Sequence, residues 1–401
     1  SLLKQKKQRC MSQRVNNLKL LPLSLFFFLC TWSCQFRDSA TKQEPPNVYH
    51  SQVLLHHARG FSIDQADDHT RVTLHNPWSK QDKPYAVYYL FHKLPEKLPS
   101  GGISLQVPLT SLVVNSFSYF EFLSLLGEID AIRGVSDGFR IYNPLILEKI
   151  RKGAIRDMGD PFQPNLEKVM SVLPGAVISS AYAQMDSYSE RLTEAGIPVI
   201  YSLEWMEKEP LARAEWIRMM GAFFDKQSIA DSLFASIEKR YHATRESIPD
   251  LPQKHQVLAG DNFQGTWYLP GGGSYNAALF RDAGLAYRYS NHRESGSIGL
   301  DIESILTQFA GADFWFGCEA DSYAELAEKD AKYLLLQAVK KRQVFNNHNR
   351  TTPAGGNDFF ESAVAHPDLV LSDLIRAVYP NSLPDYAYTY IKPLKEEPNR
   401  E

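Results

Sequence analysis

Cysteine is scarce in this sequence, and nearly all of it lies at one end. Cys10, Cys30 and Cys34 fall before the main body, which is left with Cys318 alone. A body with one cysteine cannot form an internal disulfide, and no CxxC pair or Cys/His cluster suggests a zinc site. We therefore expect the fold to be held by its hydrophobic core.

An excess of either charge is also missing. The chain has 43 Lys and Arg against 46 Asp and Glu, a net charge of -3. Proteins that bind nucleic acid usually show a basic excess, so no nucleic-acid partner is expected. A hydrophobic content of 44% over 401 residues gives ample material for a core and favours two folding units.

Motifs for nucleotide binding and ester hydrolysis are incomplete. Gly271–Gly273 lacks the lysine that follows in a P-loop, so nucleotide binding is not expected. Ser274 lacks the second glycine of a G-x-S-x-G elbow. His348 and His366 are isolated in sequence and are interpreted as surface or packed residues. We expect no enzyme, although a secreted hydrolase using Ser274 stays open as a third hypothesis.

A bare metal ion would need three or four converging ligands. The 11 histidines are scattered, and His56-His57 falls in the segment interpreted as a tether. No spacing supports a metal site, so none is predicted, and no resident cofactor is expected.

Residues 1–34 are predicted to be a signal peptide, with Met11 as the start. Basic Arg14 and Lys19 precede the apolar run Leu20–Leu29, which is the order of a secretory signal. The run is too short to remain as a bilayer span. The Ser33-Cys34 junction resembles a lipobox, whose cysteine is acylated.

Acylation of Cys34 would anchor the protein to the bilayer in the cell envelope, at the periplasmic or cell surface. Thr31 and Trp32 depart from the usual lipobox, so a plain cleaved signal and a retained anchor stay open. The polar residues 35–48 then form a flexible tether.

A long helix is predicted from Ser228 to Ser247. Ser228 and Asp231 form a variant of the capping box. Four apolar residues recur at every fourth position and form one face: Ile229, Leu233, Ile237 and Tyr241. At about 1.5 Å per residue the helix would be about 30 Å long. We interpret it as a strut between two lobes, with an ordinary surface helix as the alternative.

Strands and helices alternate on both sides of this strut, which predicts parallel sheets covered by helices. The predicted fold is α/β, with two lobes of mostly parallel sheet joined by one long α-helix. The segments are 1–34 signal peptide, 35–105 tether and N-terminal hairpin, 106–204 N-terminal lobe, 205–250 linking helical region, 251–392 C-terminal lobe and 393–401 tail. Ligands of such sheets bind beyond the carboxyl ends of the strands.

Several segments resemble, in order, the class III periplasmic binding proteins, which are the vitamin B12 and iron-siderophore receptors of ABC importers. The segments are Phe120–Gly127 with Ile132–Ser136, Asn165–Val169 with Leu173–Ile178, Gly196–Val199, Trp267 with Gly271–Ser274, and Asp301–Leu306. Gly175 stands where the family usually has Asp. The resemblance covers about 109–390 and leaves 50–105 outside.

The resemblance implies a monomeric, non-catalytic receptor with a ligand cleft between its lobes. It would bind a metal chelate, either ferric siderophore or cobalamin, and deliver it to an ABC permease dimer with its ATPase. In the family one glutamate on each lobe docks on the permease, and Glu121 and Glu303 are the predicted pair. Each is also a first-turn acid that the helix dipole favours.

The predicted ligand residues lie in the loops at strand ends and near the second glycine-rich loop. They are Ser118, Tyr119, Asp137, Tyr182 and Tyr188 in the first lobe, and Trp267, Tyr268, Ser274, Phe316, Asn357 and Phe359 in the second. Aromatic walls with a few polar groups suit a large, partly apolar chelate. An ionic siderophore would favour arginines, for which Arg140 and Arg281 are candidates. A permease-independent scavenging or sensing lipoprotein of the same fold is the alternative function.

Overall fold

The computed structural model describes residues 49–79, 81, 83–160, 165–184, 187–250 and 252–396. The predicted signal peptide, Cys34 and the tether at 35–48 lie outside these residues. Among the residues described, no helix is both long and apolar enough to cross a bilayer.

A five-stranded sheet lies at the start of the described chain, where the sequence indicated a hairpin alone. Its spatial order follows the chain: β1 (Ser51–Gln52), β2 (Phe61–Gln65), β3 (Thr70–Leu74), β4 (Ala86–Phe91) and β5 (Ile103–Gln106). The predicted hairpin is β3 and β4. Strand β2 escaped prediction because its apolar–polar alternation is short and fails at Gln65. Asp64 in this strand is buried and pairs with Arg71 of β3 at 2.8 Å.

The first lobe is an all-parallel sheet in the order β10-β9-β6-β7-β8. Its elements are β6 (Leu112–Val114), α1 (Ser118–Leu125), β7 (Ile132–Val135), α2 (Pro144–Arg151), β8 (Arg156–Asp157), α3 (Leu166–Ser171), β9 (Ala176–Ser180), α4 (Ser187–Glu194) and β10 (Val199–Ser202). The N-terminal sheet packs on its β10 edge, where the Tyr88 hydroxyl donates to the Val199 carbonyl at 3.0 Å.

Three helices link the lobes: α5 (Pro210–Ala214), α6 (Ile217–Phe223) and α7 (Gln227–Glu246). The long helix therefore exists close to its predicted bounds. The predicted capping box is wrong, because Lys226 is the N-cap and offers no side-chain bond. Asp231 instead forms an ion pair with Arg218 at 2.8 Å.

The second lobe has a five-stranded sheet, β14-β11-β16-β17-β18, that is parallel except for β18. A three-stranded antiparallel sheet, β12-β13-β15, flanks it. The elements are β11 (Gln256–Ala259), β12 (Asp261–Phe263), β13 (Thr266–Pro270), α8 (Tyr275–Asp282), β14 (Ala286–Tyr287), β15 (Ser297–Leu300), α9 (Ile302–Phe309), β16 (Phe314–Phe316), α10 (Tyr323–Lys329), α11 (Gln337–Lys340), β17 (Val344–Asn346), α12 (Pro367–Val378) and β18 (Lys392–Pro393). The predicted two-lobed α/β architecture is confirmed.

A buried carboxylate fastens the N-terminal segment to the linking region. Glu215, between α5 and α6, is fully buried and accepts hydrogen bonds from the backbone N–H groups of His56, His57 and Ala58 at 2.9, 2.8 and 2.7 Å. Arg218 lies 3.0 Å from the same carboxylate. An ionised group in the interior is tolerated only with such partners.

A second carboxylate continues this arrangement. Glu207, just before α5, accepts from the backbone N–H groups of Arg59 and Gly60 and from the indole N–H of Trp216 at 2.9 Å. Burial raises the pKa of Glu207, although the hydrogen bonds from Trp216, Gly60 and Arg59 lower it. The segment 56–60 is thus wrapped around two acids of the linking region.

We expect Glu215→Ala to lower the free energy of unfolding by about 3–5 kcal/mol, the usual effect of removing one member of a buried ion pair. Hydrogen exchange of the amides of 56–58 should accelerate, because these N–H groups lose their acceptor. Denaturant unfolding and amide exchange measure the two effects. Glu246→Ala, an exposed acid at the end of α7, is the control and should change little.

Candidate ligand-binding cleft

The carboxyl ends of the first-lobe strands open into a cavity of about 360 Å³. Residues that follow β6, β9 and β10 form its wall, as expected for a parallel sheet. The lining residues are Asn115, Ser116, Phe117, Ser118, Ser180, Tyr182, Glu204, Trp205, Arg213 and Phe360.

The second lobe presents a matching cavity of about 330 Å³ at the carboxyl ends of β11, β16 and β17. Its wall includes Gly260, Tyr268, Phe316, Gly317 and Asn347. A smaller space of about 120 Å³ lies beside both, between α5, α8 and α12.

Shared residues show that the three spaces adjoin one another. Phe360 lines all three, and it is 58% exposed although it is a large apolar side chain. Phe359 and Tyr275 line the two spaces nearer the second lobe. Together the spaces form one cleft between the lobes, with Phe360 at its centre.

Arg213 of α5 is the cationic side chain among the described residues that line this cleft. Its guanidinium lies 4.1 Å from the centre of the Tyr275 ring and 3.2 Å from a carboxylate oxygen of Glu204. Burial lowers the pKa of Arg213, but Tyr275 and Glu204 raise it above its ordinary value, so the group is charged. Because Glu204 offsets this charge, Arg213 adds little net positive potential to the cleft.

A second acid lines the second-lobe cavity. The imidazole of His348, at 3.6 Å, holds the pKa of Glu319 below its ordinary value, so this carboxylate is ionised. Neither arginine considered from the sequence is among the lining residues. Arg140 is exposed beside Asp137, although its guanidinium lies 5.9 Å from the ring of Phe117, which lines the first-lobe cavity. Arg281 is exposed beside Asp282. The lining residues therefore offer one paired arginine and two carboxylates.

Five of the eleven predicted ligand residues line the cleft: Ser118, Tyr182, Tyr268, Phe316 and Phe359. The others have structural contacts. Tyr119 and Tyr188 are buried in the first lobe. Asp137 adopts a left-handed backbone conformation (φ 48°) at the end of β7, 3.6 Å from Arg140. Asn357 closes a turn by accepting from the Phe359 N–H at 3.0 Å.

Trp267, predicted to touch ligand, is a core residue. It is fully buried, its indole N–H donates to the Ala259 carbonyl at 2.9 Å, and its ring lies 4.9 Å from that of Trp315. Strand alternation explains the error: along β13, Trp267 faces the core while the next residue, Tyr268, faces the cleft.

The glycine-rich loop before α8 serves packing rather than ligand binding. A side chain at Gly272 would meet the Tyr289 carbonyl oxygen at 2.0 Å, and the N–H of Gly273 donates to the Glu294 carbonyl at 3.0 Å. Ser274 caps α8 and its hydroxyl donates to the Gly271 carbonyl at 2.6 Å. These contacts leave Ser274 no role as a nucleophile.

The lining residues that were not predicted from the sequence include Phe117, Glu204, Trp205, Arg213, Tyr275, Glu319 and Phe360. One signal was available for two of them: Glu204 and Trp205 follow β10, a strand end that was not considered. Phe360 adjoins the predicted Phe359. Arg213 lies on α5 and Tyr275 is the first residue of α8. The contact between their side chains depends on how these two helices pack.

The lobes also touch each other directly. Glu361 accepts hydrogen bonds from the backbone N–H groups of Tyr142 and of Asn143, which caps α2. A side chain at the nearby Gly356 would meet the Ile141 carbonyl oxygen at 2.3 Å, so glycine is required there. Burial raises the pKa of Glu361 to about 7 despite these N–H donors.

Glu121 belongs to a second contact between the lobes. Its carboxylate lies 2.8 Å from Nε2 of His366, and its side chain is 18% exposed. It is therefore not displayed for docking as the sequence suggested. Glu303, at the first turn of α9, is exposed and pairs with Lys332 at 2.8 Å, which holds the pKa of Glu303 below its ordinary value.

Comparisons with known proteins agree with this geometry. The family model described as periplasmic binding protein matches residues 112–351, more than half of the chain. An uncharacterised lipoprotein of Methanocaldococcus jannaschii is 25% identical over 369 residues, which is 86% of this chain and 86% of the relative.

Solved structures share the fold. The triscatecholate siderophore-binding protein of Bacillus subtilis, in complex with ferri-bacillibactin, has a TM-score of 0.53 at 17% identity and covers 70% of this chain and 95% of its own. A periplasmic heme-binding protein of Vibrio cholerae has a TM-score of 0.51 at 14% identity, with coverages of 65% and 98%. The N-terminal sheet lies before the region that the family model matches.

The raised pKa of Glu361 predicts a pH-dependent stability. Because its folded pKa of about 7 exceeds the ordinary value of 4.5, its contribution is fully present below pH 4.5 and is lost as pH rises through 7. At about 1.4 kcal/mol per pKa unit the change is up to about 3 kcal/mol. Unfolding free energies measured across this range should fall with pH, and Glu361→Gln should flatten the slope. An identical slope in Glu361→Gln and in the exposed control Glu190→Gln would contradict this assignment.

Proposed function

Because the chain belongs to the periplasmic binding protein family, of the class III type, we propose that it is the monomeric substrate-binding lipoprotein of an ABC importer. It binds a metal chelate in the interlobe cleft and delivers it to a permease. The observation that carries this proposal is the aromatic cleft at the carboxyl ends of two parallel sheets. The Ser33-Cys34 junction and the lipoprotein relative support an anchor in the cell envelope.

The charges of the cleft narrow the class of chelate. Its lining holds Arg213, which Glu204 already pairs, and the ionised Glu319. A ferric triscatecholate carries several negative charges and would need several unpaired cations when it leaves water. The ligand is therefore a chelate of low net charge and large apolar surface, such as a neutral ferric trihydroxamate or a cobalamin.

Ligand binding can be followed through Trp205, which lines the first-lobe cavity. Titration with a neutral ferric trihydroxamate, cyanocobalamin, haem and a ferric triscatecholate should give saturable quenching with a low-charge chelate and none with the triscatecholate. Preference for the triscatecholate would overturn the charge argument. No binding of any metal chelate by a folded protein would overturn the proposed ligand class.

Phe360→Ala should raise the Kd for that chelate by roughly 10- to 100-fold, since burying a Phe side chain contributes about 1.5–3 kcal/mol. Calorimetry measures the affinity without relying on fluorescence. Phe263→Ala is the matched control: Phe263 is also in the second lobe and is 64% exposed, but it does not line the cleft. Equal losses in both variants would remove Phe360 from the binding surface.

Docking on the permease is assigned to Glu167 and Glu303. Both are exposed first-turn acids, on α3 and α9, which are capped by Asn165 and Asp301. Each helix leads by a short connection into a parallel strand, β9 or β16. Its N-terminus therefore lies at the carboxyl edge of its sheet, the edge at which the cleft opens. Paired charges at such positions set register and speed encounter.

The double variant Glu167→Gln, Glu303→Gln should abolish stimulation of the cognate permease's ATPase while chelate affinity is unchanged. Glu194→Gln with Glu328→Gln replaces exposed acids on the same lobes, near the C-terminal ends of α4 and α10, and should leave stimulation intact. Full stimulation by the Glu167/Glu303 variant would refute the docking assignment. A wild-type protein that binds chelate but stimulates no permease would favour the permease-independent scavenger.

A further inference from the structure

A cluster of metal-ligating side chains lies outside the cleft, where the N-terminal segment meets the long helix. His57, Glu238 and His242 bring one ligand atom each to within 4.8 Å of one another. Glu238 and His242 are four residues apart on α7, so they share one face of the helix. His57, from the N-terminal segment, packs against that face. Its Nε2 atom lies 2.7 Å from a carboxylate oxygen of Glu238.

The position of His57 is set by the fold rather than by the cluster. Its backbone N–H donates to Glu215, as do those of its two neighbours, and its ring packs edge-on against Phe234 of α7 at 6.0 Å. Its side chain is 17% exposed and that of Glu238 is 24% exposed. Ligands that are held by other contacts need little further ordering when an ion binds.

Further acceptors and free space surround the cluster. A carboxylate oxygen of Glu209 lies 3.6 Å from the other ring nitrogen of His57, so a small shift would bring it to hydrogen-bond distance, the contact that outer carboxylates make at metal sites. A cavity of about 180 Å³, lined by His57, Glu209 and His242 among others, adjoins the cluster and leaves room for a water ligand. None of the three ligands lines the interlobe cleft.

We propose that His57, Glu238 and His242 form a binding site for a zinc-type divalent cation that clasps the N-terminal segment to the long helix. Two imidazole nitrogens and one carboxylate oxygen suit Zn²⁺ and disfavour Mg²⁺ and Ca²⁺, which take oxygen ligands. Bond lengths of about 2.0–2.2 Å place tetrahedral ligand atoms about 3.3 Å apart. The His57–Glu238 contact at 2.7 Å thus opens by a few tenths of an ångström to admit the ion.

This inference does not rest on the proposed function of the cleft. It departs from the sequence-based expectation of no metal site, because His57, assigned to the tether segment, packs on a helix nearly two hundred positions away in the chain. The sequence could not reveal this set of ligands for that reason. Glu238 and His242 are four residues apart on α7, but His57 joins them only when the N-terminal segment folds onto this helix.

The test is metal binding by the tag-free, chelator-stripped chain, titrated with Zn²⁺ and Co²⁺ and, separately, with Mg²⁺ and Ca²⁺. We expect one Zn²⁺ per chain, competition by a chromophoric chelator, and a Co²⁺ spectrum of a low-coordinate nitrogen and oxygen site. His57→Ala and His242→Ala should each weaken Zn²⁺ affinity by more than about 100-fold, since losing an outer partner alone costs about 10- to 100-fold.

His292→Ala removes an exposed histidine outside the cluster and should leave Zn²⁺ binding unchanged. Circular dichroism establishes that each variant is folded, and Glu238→Gln provides a second, nearly isosteric test. Hydrogen exchange in 56–60 should slow when Zn²⁺ is added to the wild type. The proposal is overturned if the wild type binds no stoichiometric Zn²⁺, or if Zn²⁺ affinity is the same in the His57, His242 and His292 variants.

Discussion

Two acids buried on either side of one short helix hold the N-terminal segment against the region that links the lobes. Glu207 precedes α5 and Glu215 follows it, and both depend on backbone N–H groups of residues 56–60. Because an unpartnered carboxylate in the interior is strongly unfavourable, the N-terminal segment and α5 must be in place together. That requirement carries Arg213, on α5, into the cleft and sets His57 against α7. The N-terminal sheet is therefore part of the architecture of both sites.

The cleft itself combines many aromatic side chains with little net charge. Phe359, Phe360 and Tyr275 supply flat apolar area, while Arg213 is held by Glu204 and cannot act as a free positive charge. In the proposed function, such a surface would select a ligand by shape and by apolar contact area, and the few polar groups would set its orientation. The fold is shared with siderophore- and heme-binding proteins.

The sequence predicted most of the architecture because the apolar periodicities of strands and helices are local signals. The long helix was predicted to within one residue at each end. Contacts between residues that are distant in the sequence could not be predicted. Trp267 was assigned to the ligand because periodicity cannot say which face of β13 is buried. Glu121 was assigned to docking because its contact with His366, which lies far away in the chain, cannot be predicted from neighbouring residues.

The segment that carries Phe359 and Phe360 also bears the contacts between the lobes. Glu361 holds the backbone of Tyr142 and Asn143, and Gly356 lies against Ile141. Any force that separates the lobes must break these contacts, and the strain falls on the chain that forms the aromatic centre of the cleft. Separating the lobes would thus also displace Phe359 and Phe360, which line the cleft. Separation of the lobes and displacement of the aromatic centre of the cleft are therefore mechanically coupled.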